Sequence, residues 1–437
     1  VEITDDGRPR VDLNFRIGKI LEERQQDPEA AEQRYVTALS LDPAHVPSMQ
    51  ALTEMYKKRG DWMKAANMMV RAEAHAGNPL EKIKLLAEAG DIFHKKLHDE
   101  GRAIESYARV IELDPEHVGA GEPLAEMYFA EARYQELEPI LDMLIRKAGK
   151  KSNNELHALY FRQARTTDEL GKGEKSLKYY KQAYDIDSTH LPTLLGRANL
   201  LYKQQDWDNA GKIYQPILVQ HRDAQKPHEV VEIYHRLGVV RLKLGERKKA
   251  LNMFEKALEI DAGHRATLLQ IIELQAQQND WEAVIHAKRA MLAGATEDEK
   301  FKFLDEIGDL YQEKLQNAQK SIAAYQEALE ARPGDFPTLH KLLEQFGNTK
   351  QWKKVVEVAA KLAELERDPI RRGKYLYTAG AVSRDELKAL DEAIEFFNQA
   401  LDNYFERADA LTPTAMQQHL KAFEAIDKVA TQKKDWK

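Results

Sequence analysis

The apolar positions of this chain fall at helical spacing, and the same set returns along its length. In the stretch 250–258, Ala250 is followed four positions on by Phe254 and three after that by Ala257, which places all three on one helix face. The set recurs at Ala31, Tyr35 and Ala38; at Ala103, Tyr107 and Val110; at Ser176, Tyr180 and Ala183; at Ser321, Tyr325 and Ala328; and at Ala393, Phe397 and Ala400. Small residues let neighbouring helices approach, and the aromatic ring fills the gap between them. Upstream, Gly90, Gly238 and Gly308 interrupt helical pattern. A glycine there costs roughly 1 kcal/mol against alanine, and a close helix crossing is the compensation the pattern implies. The pattern predicts an all-α chain.

Two phrases punctuate these helices. The first is Leu41-Asp42-Pro43-Ala44-His45, repeated as Leu113 to His117, Ile186 to His190 and Ile260 to His264, a period of roughly seventy residues. The second follows about twenty residues later as Gly60-Asp61-Trp62, Arg133-Tyr134, Asp206-Trp207, Asp280-Trp281 and Gln351-Trp352. Each period holds two helical hairpins. Eleven full hairpins and a partial one are expected, beginning near residues 13, 45, 81, 117, 153, 190, 227, 264, 297, 335, 369 and 407. Residues 1–12 read as an N-terminal extension and 13–437 as one solenoid. Pro123, Pro139 and Pro216 fall inside helical pattern, where local bends are expected.

The small-aromatic-small triplet, the inner glycine, the Gly-Asp-Trp turn and the Asp-Pro junction occur together, in order and repeatedly. In this the chain resembles the tetratricopeptide repeat family over nearly its whole length. The resemblance implies a right-handed superhelical solenoid in which the first helix of each hairpin lines an inner, concave groove. It also bears on the members that grip acidic chaperone tails, whose first helix carries a Gly-Asn pair. This chain has Gly90-Asp91 and Gly308-Asp309 instead, and a carboxylate there repels an acidic tail.

Of 437 residues, 43% are hydrophobic and 31% charged, the composition of a foldable chain. The net charge of -7 argues against nucleic acid as the main partner, and the absence of cysteine removes disulfides and thiol chemistry. No apolar run approaches the ~18 residues of a membrane span. The chain starts at Val1 and stops at Asp435-Trp436-Lys437, where earlier units continue into a helix, so an excerpt of a longer protein is expected. The expected location is cytoplasmic.

Little enzyme chemistry emerges. His45, His117, His190 and His264 each open a helix, and stacking sets them apart along the array, so they read as helix-start residues rather than metal ligands. His94 and His98 share a helical spacing but fall short of the three or four ligands zinc requires. Gly171-Lys172-Gly173 lacks the full phosphate-loop spacing and follows a helix, so it reads as a turn. No nucleophile motif is present, and no metal or cofactor is expected.

The sharper candidate is a ladder. Glu54, Glu126, Glu273 and Glu344 occupy one repeat position, Asn199 stands in the equivalent place, and Asp91 and Asp309 follow inner glycines. With few cations between them, these groups predict attraction for a basic or amide-rich extended segment, with Tyr234 and Tyr377 as hydroxyl-bearing neighbours. The function expected is a protein-interaction scaffold, similar to long bacterial arrays that assemble envelope, motility or polarity complexes. The alternative is a substrate-selecting arm of a larger enzyme such as a glycosyltransferase, and pairing of array ends into a homo-oligomer is a third possibility.

Overall fold

The computed structural model describes residues 8–149, 151–405 and 413–433, and among them it contains helices and no strand. The chain divides into two compact units, Val1–His221 and Arg222–Lys437. In the first unit, α1 (Arg8–Ile20) pairs with α2 (Pro28–Leu41), α3 (Val46–Arg59) with α4 (Trp62–Glu73), and α5 (Pro79–Ile92) with α6 (Glu100–Leu113). Then α7 (Val118–Ala130) pairs with α8 (Tyr134–Lys147), α9 (Asn153–Glu169) with α10 (Gly173–Ile186), and α11 (Leu191–Lys203) with α12 (Trp207–Gln220). In the second unit, α13 (Pro227–Lys243) pairs with α14 (Arg247–Ile260), α15 (Arg265–Gln277) with α16 (Trp281–Ala290), and α17 (Glu297–Asp309) with α18 (Ala318–Ala331). After these, α19 (Phe336–Asn348) pairs with α20 (Trp352–Leu365), α21 (Pro369–Asp385) with α22 (Leu390–Phe405), and α23 (Pro413–Lys433) packs on α22. The first helix starts at Arg8, ahead of residue 13. The expected start near 407 and the Asp435-Trp436 phrase lie outside the described residues.

Both sequence phrases are helix-end chemistry. The Asp of the first phrase turns the chain: Asp42 Oδ1 accepts the Ala44 N–H at 2.9 Å, Asp114 that of Glu116 at 3.0 Å, Asp187 that of Thr189 at 2.8 Å and Asp261 that of Gly263 at 3.0 Å. The His three residues on caps the next helix. His117 Nδ1 accepts the Ala120 N–H at 3.0 Å, and His45, His190 and His264 place Nδ1 at 2.8, 2.8 and 2.7 Å from the hydroxyls of Ser48, Thr193 and Thr267. In the second phrase, Asp61, Asp206 and Asp280 cap α4, α12 and α16, and Trp follows as the first helical residue.

Each of the eleven hairpins carries one residue in the left-handed region at its turn. Only Gly60, Gly171 and Gly245 among them are glycines; the others are Gln26, His98, Ala132, Gln205, Asn279, Gln316, Lys350 and Lys388. First helices alternate in length, those of the odd hairpins being longer. Three of the long ones, α1, α5 and α17, end in a π turn, at Leu21–Gln25, Phe93–Leu97 and Leu310–Lys314. All three accompany one extra residue: Gly18 to Ala31, Gly90 to Ala103 and Gly308 to Ser321 each span thirteen positions, whereas Gly238 to Ala250 spans twelve. Gly380 to Ala393 also spans thirteen, and α21 takes up the difference without a π turn.

The core repeats with the hairpins. Tyr35, Tyr107, Tyr180, Phe254, Tyr325 and Phe397 are all 2% exposed or less. In five of the six odd hairpins this ring lies on a glycine of the first helix: Gly18, Gly90, Gly238, Gly308 or Gly380. The fifth hairpin has Ala164 in that place, and the ring of Tyr180 lies instead against Gly196 of α11, the next first helix. Pro123, Pro139 and Pro216 lie inside α7, α8 and α12, which continue through them.

Candidate protein-binding face

In each unit the first helices lie side by side and are tied across hairpin boundaries by their polar side chains. Gln50 Nε2 of α3 donates to Glu81 Oε1 of α5 at 3.1 Å, and Arg162 of α9 reaches Glu126 of α7 at 3.2 Å. In the second unit, Arg265 of α15 reaches Glu299 of α17 at 2.6 Å, and His340 of α19 meets the Tyr375 hydroxyl of α21 at 2.7 Å. The second helices form their own layer behind, with Arg109 of α6 on Glu73 of α4 and Arg289 of α16 on Glu327 of α18.

The seven candidate residues all sit on first helices. Their surroundings correct the picture of a row short of cations. Glu54 lies 2.9 Å from Lys57, which also binds Glu88 of α5. Burial works against the charge of Lys57, but its hydrogen bonds to Glu88 and Glu54 outweigh it and raise the ammonium above its ordinary value. Asp91 accepts from the Tyr107 hydroxyl at 2.6 Å and pairs with Lys95 at 2.9 Å. Asp309 accepts from Tyr325 at 2.6 Å and from Lys341 at 2.7 Å, and Lys341 also binds Asp305 at 2.9 Å. Asn199 accepts from the Tyr214 hydroxyl at 2.6 Å. Glu273 and Glu344 are exposed and have no ion pair among the described residues.

Lys57, Lys95, Arg162 and Lys341 are therefore the residues that the ladder reading missed. The local signal for two of them was present, since Lys57 is three positions after Glu54 and Lys95 four after Asp91. Arg162 and Lys341 come from neighbouring hairpins, and only stacking shows which carboxylate each meets. Of the two proposed tyrosine neighbours, Tyr234 is buried at 7% exposure, whereas Tyr377 is half-buried. His98 lies in the left-handed region at the end of the π turn, so the helical face that would join it to His94 does not exist. No group of three or more metal-ligating side chains occurs among the described residues.

The first-helix layer is not smooth. A cleft of ≈ 450 Å³ runs across α5, α7 and α9, walled by Lys95, Glu122, Glu126, Lys151, Glu155 and Arg162 over the apolar Pro123, Ala125, Leu144 and Leu159. Its charges are of both signs, and its carboxylates and cations engage one another at the rim, as Lys151 does with Glu122 at 2.6 Å. Such a surface offers hydrogen bonds to a main chain and pairs for side chains of both signs.

Tandem helical hairpins with a glycine-seated aromatic core and polar side chains along one layer define the class, an α-helical repeat array. Residues 190–262, and separately 157–190 and 301–335, match family models described as tetratricopeptide repeat. These segments carry tetratricopeptide repeats. The chain is 23% identical over 370 residues to the TPR repeat-containing protein MJ1428 of Methanocaldococcus jannaschii, covering 80% of this chain and 55% of that protein. It is 22% identical over 200 residues to the TPR repeat-containing protein YpiA of Bacillus subtilis, covering 39% of this chain and 46% of that one. The chain thus spans about half the length of the curated relatives it matches. The crystal structure of YrrB, a TPR protein with an unusual peptide-binding site, aligns with 43% of this chain and 90% of its own at 19% identity, with a TM-score of 0.35. No helix among the described residues is long and apolar enough to cross a membrane.

Proposed function

We propose that this chain is a protein-interaction scaffold that holds an extended segment of a partner along its first-helix layer. The observation that carries the reading is the cleft across α5, α7 and α9, which is open to a main chain and lined by charges of both signs. Because Lys57, Lys95, Arg162 and Lys341 answer the nearby carboxylates, the segment is of mixed charge rather than uniformly basic. In the second unit, Glu273 and Glu344 are exposed without an ion pair among the described residues and are open to cationic residues of a partner.

The test begins with affinity capture of the partner by the full chain. Its binding is then compared between two folded variants. One carries E54K, E126K, E273K and E344K on the first helices, and the other E29K, E105K, E259K and E330K on the second helices. Loss in the first alone, growing weaker with salt, supports the reading. Equal binding by both variants puts the site elsewhere.

A further inference from the structure

The lysines of the first-helix layer described above are held by carboxylates. One cleft breaks this rule. In the second unit, α21 and α23 enclose a space of ≈ 330 Å³ lined by Lys374, Tyr377, Thr378, Tyr404 and Lys421. No carboxylate lines it, and neither lysine has an ion pair among the described residues. At its edge stands Tyr404 of α22, which is 3% exposed and whose hydroxyl has no hydrogen-bond partner among the described residues. Several buried tyrosines of the array donate to a carboxylate, as Tyr35 does to Glu22, Tyr107 to Asp91 and Tyr325 to Asp309; at this cleft no carboxylate stands in that place. The Tyr404 hydroxyl opens into the cleft and is free to donate to an acceptor from outside.

The Tyr404 ring reaches this place over Gly373 of α21, where any Cβ would overlap it. The Thr378 hydroxyl is already committed to the Lys374 carbonyl at 2.9 Å. That leaves two ammonium groups and the phenols of Tyr377 and Tyr404 as donors. Two positive charges exceed the single charge of a carboxylate. They match a phosphomonoester, with three terminal oxygens and a charge of about -2.

We propose that this cleft binds a phosphomonoester dianion, carried on a phosphorylated side chain of a protein segment. Lys374 and Lys421 supply the charge, and Tyr404 and Tyr377 donate to its oxygens. The site stands on these residues alone and not on the first-helix carboxylates, so the two tests are independent.

The experiment uses the full chain with three probes: a blocked phosphoserine tripeptide, inorganic phosphate and acetate. Binding is read by calorimetry and by protection of individual lysines from acetylation, located by mass spectrometry. The expected result is saturable binding of the phosphoserine peptide that shields Lys374 and Lys421 but not the exposed Lys320. Affinity should fall about tenfold in K374A, in K421A and in the conservative Y404F, each checked for unchanged helicity. It should also fall below about pH 6, as the dianion becomes protonated. Equal or tighter capture of inorganic phosphate would keep the anion site but overturn a protein-borne source. Absence of shielding, or equal shielding by acetate, would overturn the proposal outright.

Discussion

The ring of Tyr107 lies across Gly90 so closely that a Cβ on residue 90 would stand 2.7 Å from Cε1, and the same tyrosine then donates its hydroxyl to Asp91 at 2.6 Å. One glycine thus sets both the closeness of α5 to α6 and the polar fixing of the ring. Burial first, and then the hydrogen bond to Asp91, push the phenol well above its ordinary value. Gly90→Ala should therefore destabilise the chain by about 1–3 kcal/mol despite alanine's better helix propensity. The control is Gly347→Ala in α19, where nothing lies within 4 Å of the added carbon. That change should stabilise by a few tenths to about 1 kcal/mol. Urea unfolding of both variants decides; a shared sign would refute the packing argument.

Truncating the ring tests locality. Tyr107→Ala or Phe254→Ala should cost about 3–5 kcal/mol. Amide exchange should rise in the affected hairpin and its neighbours, because contacts in such an array run between adjacent units. A uniform rise along the chain would argue for one global cooperative core.

The left-handed turn residues give a prediction of opposite sign to the usual one. Ala132 has φ +56° between α7 and α8, where glycine is at ease and alanine is strained. Ala132→Gly should raise stability by about 0.5–1 kcal/mol, while Gly60→Ala at φ +77° should lower it by a similar amount. Thermal melts of the two variants suffice.

Acid should weaken two hairpin junctions. Burial, and then the nearby His157, lower the pKa of His190, with Asp187 opposing. Burial also lowers that of His235, where Glu232 opposes and His264 and Arg236 assist. The unfolded chain then takes up protons more readily than the folded one. Stability is complete above the unfolded value of about 6.5 and is lost as pH falls through the folded values. Between about pH 8 and pH 5 the melting temperature should drop by roughly 1–2 °C from these groups. The drop should shrink in His235→Gln, which keeps a hydrogen-bonding partner for Thr267 and removes the titrating ring. An unchanged pH profile in that variant would remove His235 from the account.

Lys341 ties α19 to α17 through Asp305 and Asp309. Burial works against its charge, but the hydrogen bonds to the two aspartates prevail and its pKa is raised. Its contribution is present below the unfolded value of about 10.4 and is lost as pH rises through the folded one. Lys341→Met leaves two carboxylates facing each other without their cation and should cost about 1–2 kcal/mol at neutral pH, discounted for partial exposure. The difference from the parent chain should narrow in strong alkali, and urea titrations at the two pH values measure it.

The helices and their order were legible because the signals are local. An aromatic four positions after a small residue, an Asp that caps and a Trp that follows it act within one turn of helix, and they recur. The π turns were not legible from spacing, since Gly380 to Ala393 has the same thirteen positions and α21 closes without one. Most left-handed turn residues carry no mark at all, since Gln205 and Lys350 look like any polar residue. The candidate face was half legible. Which residues sit on first helices followed from the repeat, but which cation answers which carboxylate depends on side chains from adjacent hairpins. Tyr404 and Gly373 gave no warning because they lie on different helices and meet only through packing.

The π turns closing α1, α5 and α17 absorb their extra residue after the glycine beneath the ring and before the next capping side chain, so the ring still meets its glycine. A gain or loss of one residue at that seam stays confined to it. Whole double units can then be duplicated, exchanged or dropped with imperfect ends and still stack. The reach of the array becomes a quantity that recombination can adjust without redesigning any interface.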